Sequence, residues 1–244
     1  MAQGIVRTLL GTALLLFIVA LGWQGWRTLD RPISVVRVDG ELTAAERARA
    51  TELVSLFLPA GVLSLDTRAL RDLLEQESWV DSVALWRSWP DAVRLEIRAE
   101  AAVARWRTDA LLSARGRIIE PLELLELDTL PRLAGPDGSA ERVMQTFQRI
   151  ADVLRPHGLR IDTLGMDAEG GIEVRLRQGP LFVFGHRELA SRLQRLDLVL
   201  RQQFPDGLAE VERIDARYDN GIAVAWHSAD AGRALAARQL VKGS

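Results

Sequence analysis

No charged residue interrupts the nineteen positions from Thr8 to Trp26, TLLGTALLLFIVALGWQGW, and most of them are apolar. As a helix rising ~1.5 Å per residue, this run reaches about 28 Å, close to the ~30 Å hydrocarbon thickness of a bilayer. A helix pairs its own backbone N–H and C=O groups, which lipid cannot do for it. Leu9, Leu14 and Phe17 lie along its apolar length. Trp23 and Trp26 suit the headgroup level, and Arg7 and Arg27 bracket the run. The pattern predicts a transmembrane helix over 8–26 behind a short cytoplasmic tail, 1–7. Ala20-Leu21-Gly22 offers a small-x-small cleavage site. Against cleavage, the run exceeds the ~7–15 residues of a signal-peptide core and the segment before it is nearly uncharged. Charges on the two flanks almost balance, so the positive-inside rule is nearly silent. The short tail favours an inside N-terminus with the bulk of the chain outside.

A linker, 27–32, leads to ISVVRVDG, a β-branched strand with Val36 and Val38 on one face, stopped by Gly40. Thr43 and Glu46 have the spacing of a capping box for a helix through TAAERARATELVSLFL, with Leu53, Leu56 and Phe57 as its apolar stripe. Asp66 caps a second helix to about Gln76, carrying Leu70, Leu73 and Leu74. Trp79-Val80 opens a strand to Arg87, Trp89-Pro90-Asp91 turns the chain, and Val93, Leu95 and Ile97 alternate with charged residues in the next strand. The predicted order over 33–100 is β-α-α-β-β, two helices on one face of a three-stranded sheet.

From Ala101 the texture changes. AVARW, ALLSARGRIIE and LELLEL are short apolar pieces, and LPRLAGPDGSAE is turn-rich. A helix from about Ala140 to Arg155 follows, with Val143, Phe147, Ile150 and Leu154 on its apolar stripe. Strands are predicted near Arg160–Met166, Ile172–Leu176 and Leu181–Gly185. A helix spans about Glu188 to Phe204, with Leu189, Leu193, Leu196 and Leu200 at helical spacing. The last strands are about Val211–Tyr218 and Ile222–Trp226, and Asp219-Asn220-Gly221 between them is a hairpin signal because Asn-Gly accepts positive φ. Residues 101–228 thus predict a larger, mostly antiparallel β domain with packed helices. The tail, 229–244, has no committed pattern, with frayed helix and coil equally open. The fold class is α+β.

Composition narrows the chemistry. Net charge is −2 over 244 residues, which lacks the basic face that nucleic acid requires. The absence of cysteine removes disulfides, thiolate metal sites and cysteine nucleophiles. No phosphate loop, nucleophile elbow or HExxH sequence occurs. His157, His186 and His227 lack ligand spacing, and the acidic residues alternate with arginines as on a solvated strand face. Catalytic residues, metal, cofactor and small-molecule substrate are all expected to be none.

Several strings go further: Val36-x-Val38-x-Gly40, Ser78-Trp79-Val80, Arg87-x-Trp89-Pro90, Ala104-Arg105-Trp106, Leu130-Pro131-x-Leu133-x-Gly135-Pro136 and Arg217-Tyr218-Asp219-Asn220-Gly221-x-Ala223-Val224-x-Trp226. With the anchor and module order, they make the whole chain resemble the FtsQ/DivIB family of bacterial cell division proteins, and 33–100 resembles a POTRA domain. Ser78 and Ala102 stand where that family often has proline.

The resemblance implies a non-enzymatic divisome scaffold of the inner membrane, single-pass, with its bulk in the periplasm and concentrated at the division septum. It would bind FtsB- and FtsL-type partners and other divisome membrane proteins, and so help control septal peptidoglycan synthesis. The implied FtsB contact covers Arg217, Tyr218, Asn220, Gly221, Ile222, Ala223, Val224, Ala225 and Trp226. The implied recruitment strand carries Val80, Ser82, Val83, Leu85 and Arg87. On the residues alone, a terminal strand at a sheet edge offers unpaired backbone groups to another strand, and Tyr218 and Trp226 are rigid anchors. The competing expectation for the aromatics is that they close the end of the core. The competing function is a membrane-anchored POTRA protein chaperoning envelope or secreted substrates.

Overall fold

The computed structural model describes residues 2–123, 128–205 and 207–228. Two compact units divide the chain, Met1–Glu100 and Ala101–Ser244. In the first, α1 (Ala2–Leu29) precedes β1 (Val35–Asp39), α2 (Ala44–Ser55), α3 (Thr67–Glu75), β2 (Val80–Ser88) and β3 (Ala92–Ala99). Along α1, Leu14, Phe17 and Trp23 are exposed. The side chains of residues 2–10, 12, 13 and 26–28, Leu9 and Trp26 among them, lie outside the described residues. Among the described residues, no helix is long and apolar enough to cross a membrane.

The three strands lie in the order β1-β3-β2, with β1 parallel and β2 antiparallel to the central β3. Strict alternation puts Val93, Leu95 and Ile97 on the helix-covered face, each at most 1% exposed. Thr43 and Glu46 close the capping box at the start of α2, and Asp66 accepts from the Arg68 and Ala69 amides at the start of α3. The stripe of α2 differs from expectation. It is Ala50, Leu53 and Val54 that are buried, while Leu56 caps an already finished helix and is 70% exposed. Helical periodicity carried the prediction one turn past the end of the helix.

The second unit contains β4 (Ala102–Trp106), β5 (Ala110–Ser113), β6 (Ile118–Ile119), β7 (Arg132–Ala134), α4 (Ala140–Leu154), a 3₁₀ turn (Arg155–His157), β8 (Ile161–Met166), β9 (Ile172–Leu176), β10 (Leu181–Phe184), α5 (Leu189–Gln203), β11 (Val211–Asp215) and β12 (Ala223–Trp226). One nine-stranded sheet runs β12-β11-β10-β9-β8-β7-β4-β5-β6. Five neighbour pairings are antiparallel, and three are parallel: β4 with β7, β7 with β8, and β10 with β11. The antiparallel majority was expected, but the parallel minority was not. Two of the three come from crossover helices, α4 joining β7 to β8 and α5 joining β10 to β11, while β4 reaches β7 through β5 and β6. LPRLAGP, read from the sequence as turn-rich, contains β7, whose Leu133 is fully buried. Of LELLEL, residues 124–127 lie outside the described residues, as does the tail 229–244.

Most of the buried apolar residues described in this unit form one cluster, with Leu111, Ile119 and Val183 buried outside it. Phe182 and Phe184 from β10, stacked with ring centroids 6.2 Å apart, belong to it with Val143, Ile150 and Leu154 of α4 and Leu193, Leu196 and Leu200 of α5.

Candidate docking edge of the β domain

β12 ends the sheet, and no other described strand pairs with its far side. Its register against β11 sets Asp215 opposite Ala223, Ile214 opposite Val224, Arg213 opposite Ala225 and Val211 opposite Trp226, with a bulge between Val211 and Arg213. Ala223 and Ala225 are exposed, while Ile222, Val224 and Trp226 pack partly buried against the core. His227 N–H donates to Glu210 O at 3.0 Å, and Ala216 N–H donates to Val183 O at 2.9 Å. The two-residue alternation of a strand then turns the amides of Ala223 and Ala225 toward β11. Those of Val224 and Trp226 face the open side.

The two aromatics separate. Tyr218 is 58% exposed. Trp226 turns inward, its ring 5.9 Å from that of Phe204 at 39°. It closes the end of the core, the competing expectation stated for it, so its contribution to any partner contact is the part of the ring left open.

The Asn220-Gly221 turn also differs from expectation. Neither residue has positive φ. Because Asp215 faces Ala223, the connection is a seven-residue loop, 216–222, and β11 stops at Asp215 rather than reaching Tyr218. A loop of that length needs no type I′ turn.

Two α5 arginines hold this loop. Arg195 Nη1 donates to Tyr218 O at 3.0 Å. Arg192 is 7% exposed, with Nη2 3.7 Å from Asp219 Oδ1, and its buried Nη1 has no partner among the described residues. Gly185 makes room for that guanidinium, since a Cβ there would lie 2.4 Å from Nη1. Sequence reasoning missed Arg192, although the signal was present. It lies three residues after Leu189 and four before Leu196, on the stripe that packs inward.

Arg217 is not a free cation. Its Nε and Nη2 meet Asp215 at 2.9 and 2.7 Å. These hydrogen bonds are the main reason the Asp215 carboxyl lies below the ordinary carboxylate range, against the opposing effect of burial, and they raise the Arg217 pKa in turn. A carboxyl whose pKa is depressed by folding contributes stability that is complete above its unfolded value. That contribution is lost as pH falls through the folded value. Arg217→Ala should therefore destabilise the β domain more at pH 7 than at about pH 3, below the ordinary aspartate pKa of ~3.9. Urea midpoints at the two pH values check this, and an equal deficit at both would rule out the coupling.

On the POTRA-like unit, β2 is a sheet edge. Val80 and Val83 are buried, and Ser82 and Leu85 are half-buried. Arg87 donates to the carbonyls of Val62 at 2.7 Å and Leu65 at 3.0 Å. A bulge between Val80 and Ser82 resets the alternation, so that Val83, Leu85 and Arg87 oppose Ile97, Leu95 and Val93.

Elsewhere, His157 lies 2.8 Å from Asp197, beside a cavity of about 390 Å³ between α4 and α5. The two hydrogen bonds to Asp197, from His157 and then Arg201, lower its pKa. Among the described residues, no three His, Cys, Asp or Glu side chains gather as a metal site.

A β-α-α-β-β module followed by a mixed sheet with an open terminal strand places the chain among modular POTRA-containing proteins. Residues 31–98 match the family model for the FtsQ-type POTRA domain, and residues 104–217 match that for the C-terminal region of cell division protein FtsQ/DivIB. The chain belongs to the FtsQ/DivIB family. It is 33% identical over 200 residues to cell division protein FtsQ of Cellvibrio japonicus, covering 82% of this chain and 62% of that relative. The match to FtsQ of Hahella chejuensis is 30% over 202 residues, 83% of this chain and 72% of the relative. The match to FtsQ of Xanthomonas campestris is 32% over 224 residues, 90% and 79%.

Proposed function

We propose that the protein is a non-enzymatic divisome scaffold, anchored in the inner membrane by 8–26, with modules 33–100 and 101–228 in the periplasm. Its β domain receives an FtsB-type partner, itself associated with an FtsL-type protein, along Tyr218 and β12. By positioning these partners it helps control septal peptidoglycan synthesis. The POTRA strand β2 takes part in recruitment through its accessible members Ser82, Leu85 and Arg87.

The observation that carries this reading is the open side of β12. There the outward amides of Val224 and Trp226 lie beside two exposed alanines that leave room for another strand. The anchor is supported by the sequence, where nineteen uncharged positions from Thr8 to Trp26 match the apolar thickness of a bilayer. A fluorescent fusion of the full chain should form a ring at midcell. A uniform envelope signal would overturn the divisome assignment in favour of a general envelope role.

A further inference from the structure

The stretch joining α1 to β1 is short and tied at nearly every residue. α1 ends at Leu29 and β1 begins at Val35. Between them the Asp30 carboxylate accepts the amides of Leu63 at 2.8 Å and Ser64 at 3.2 Å. Arg31 O accepts Val62 N–H at 2.9 Å, Ala60 O accepts Ile33 N–H at 3.0 Å, and Asp91 O accepts Ser34 N–H at 2.9 Å. Pro32 bridges to Gly61. Gly61 is needed for this approach, because a Cβ there would lie 1.9 Å from Asp30 Oδ1. The end of α1 is therefore hydrogen-bonded to the 60–64 loop rather than joined to it by a free swivel.

Topology gathers several apolar side chains at the same pole of the unit. β1 starts there, α2 returns to it and ends there, and Val35 pairs with Ala92 directly after the β2–β3 turn. This pole exposes Leu29 (51%), Leu56 (70%) and Trp89 (54%). Arg31 is exposed beside them, while Asp30 and Asp91 are engaged in hydrogen bonds. The opposite pole is highly charged and of mixed sign: Asp39, Glu41, Asp81 and Glu100 lie there with Arg47, which donates to the carbonyls of Val38 and Gly40, and with exposed Arg98.

We propose that the pole carrying Leu56 and Trp89 rests on the phospholipid surface, and that the Asp30–loop contact holds the POTRA unit there at one fixed height. The proposal rests on the reading of 8–26 as a membrane span. Tryptophan favours the headgroup boundary, where its ring is half apolar and half wet, and an exposed arginine suits anionic headgroups. A module on a free linker would leave these apolar side chains in water. A hydrogen-bonded linker of five residues keeps them beside the lipid that α1 enters.

The chain has no cysteine, so single introduced cysteines carry an environment-sensitive dye without background. Full-length Leu14→Cys, Leu56→Cys, Trp89→Cys and Glu41→Cys variants, labelled and reconstituted in phosphatidylcholine–phosphatidylglycerol vesicles, are exposed to a lipid-borne quencher. Dyes at 14, 56 and 89 should be quenched several-fold more than the dye at 41. Adding Asp30→Ala, or Gly61→Ala, which displaces the same carboxylate, should reduce quenching at 56 and 89 and leave 14 unchanged. Circular dichroism confirms that each variant is folded. Quenching at 14 with none at 56 and 89 overturns the proposal and leaves the span standing. No quenching at 14 overturns the span and the proposal with it. Quenching at 56 and 89 that survives both Asp30→Ala and Gly61→Ala overturns the lock.

Discussion

Tyr218→Ala and Val224→Pro should each weaken binding of an FtsB-type peptide by about thirtyfold or more while the β domain stays folded. Tyr218 is 58% exposed and outside the core cluster, so its removal leaves no cavity. Truncating one aromatic hot spot typically costs ~2 kcal/mol or more, which is that factor in affinity. Val224 tests the backbone half of the contact. Its amide faces the open side of β12, whereas Ala223 and Ala225 spend theirs on β11. Proline at an edge position removes the outward donor and spares the ladder to β11, at the cost of part of the packing Val224 makes against the core, which the melt of the variant reads. Trp226→Ala should behave differently, lowering the melting temperature as well, because the ring packs on Phe204. Titration of the full-length protein in detergent, preceded by a thermal melt of each variant, decides between these outcomes. Unchanged binding in both Tyr218→Ala and Val224→Pro places the partner elsewhere.

Trp79→Ala should destabilise the POTRA unit by ~3–5 kcal/mol, the usual cost of emptying a large aromatic site in a core. Trp79 is 2% exposed, its indole N–H donates to Glu77 Oε2 at 3.1 Å, and its carbonyl accepts Glu100 N–H at 2.8 Å. A small domain has only ~5–15 kcal/mol of stability, so this loss brings the unit close to unfolding. The core of the β domain is built wholly from residues beyond Ala101 and should keep its own transition. Limited proteolysis should cut the variant within 33–100 and spare 101–228. A urea midpoint within experimental scatter of the parent would show that the site refills, and that the indole is not a keystone of this unit.

Local chemistry made most of the first module legible. The Thr43–Glu46 capping box, the Asp66 cap and the Val93-Leu95-Ile97 alternation each act within a few residues, and each appears as expected. The strings Leu130-Pro131-x-Leu133 and Arg217-Tyr218-Asp219-Asn220-Gly221, together with those of the first module, carried the resemblance to the family. They did so without disclosing what those segments do in the sheet.

What the sequence settled by itself is therefore where the helices and the longer strands lie, because period and caps are properties of neighbouring residues, whereas β4 to β7 read only as short apolar pieces and turns. Which strand lies beside which was decided only by the tertiary structure. Three-residue β7 sits between β4 and β8, joined to β8 by the crossover helix α4, and no periodicity in Arg132–Ala134 could announce that. The same holds at the candidate site. The pairing of Asp215 with Ala223 replaced a tight Asn-Gly turn with a seven-residue loop, and the end of α5 drew Trp226 inward onto Phe204. Arg192 is buried because helix α5 and the glycine at 185 meet there, a contact between residues that sequence alone leaves unrelated. Faces are written in the chain, but the partners of those faces are set by long-range packing, which rewards contacts that no local pattern records.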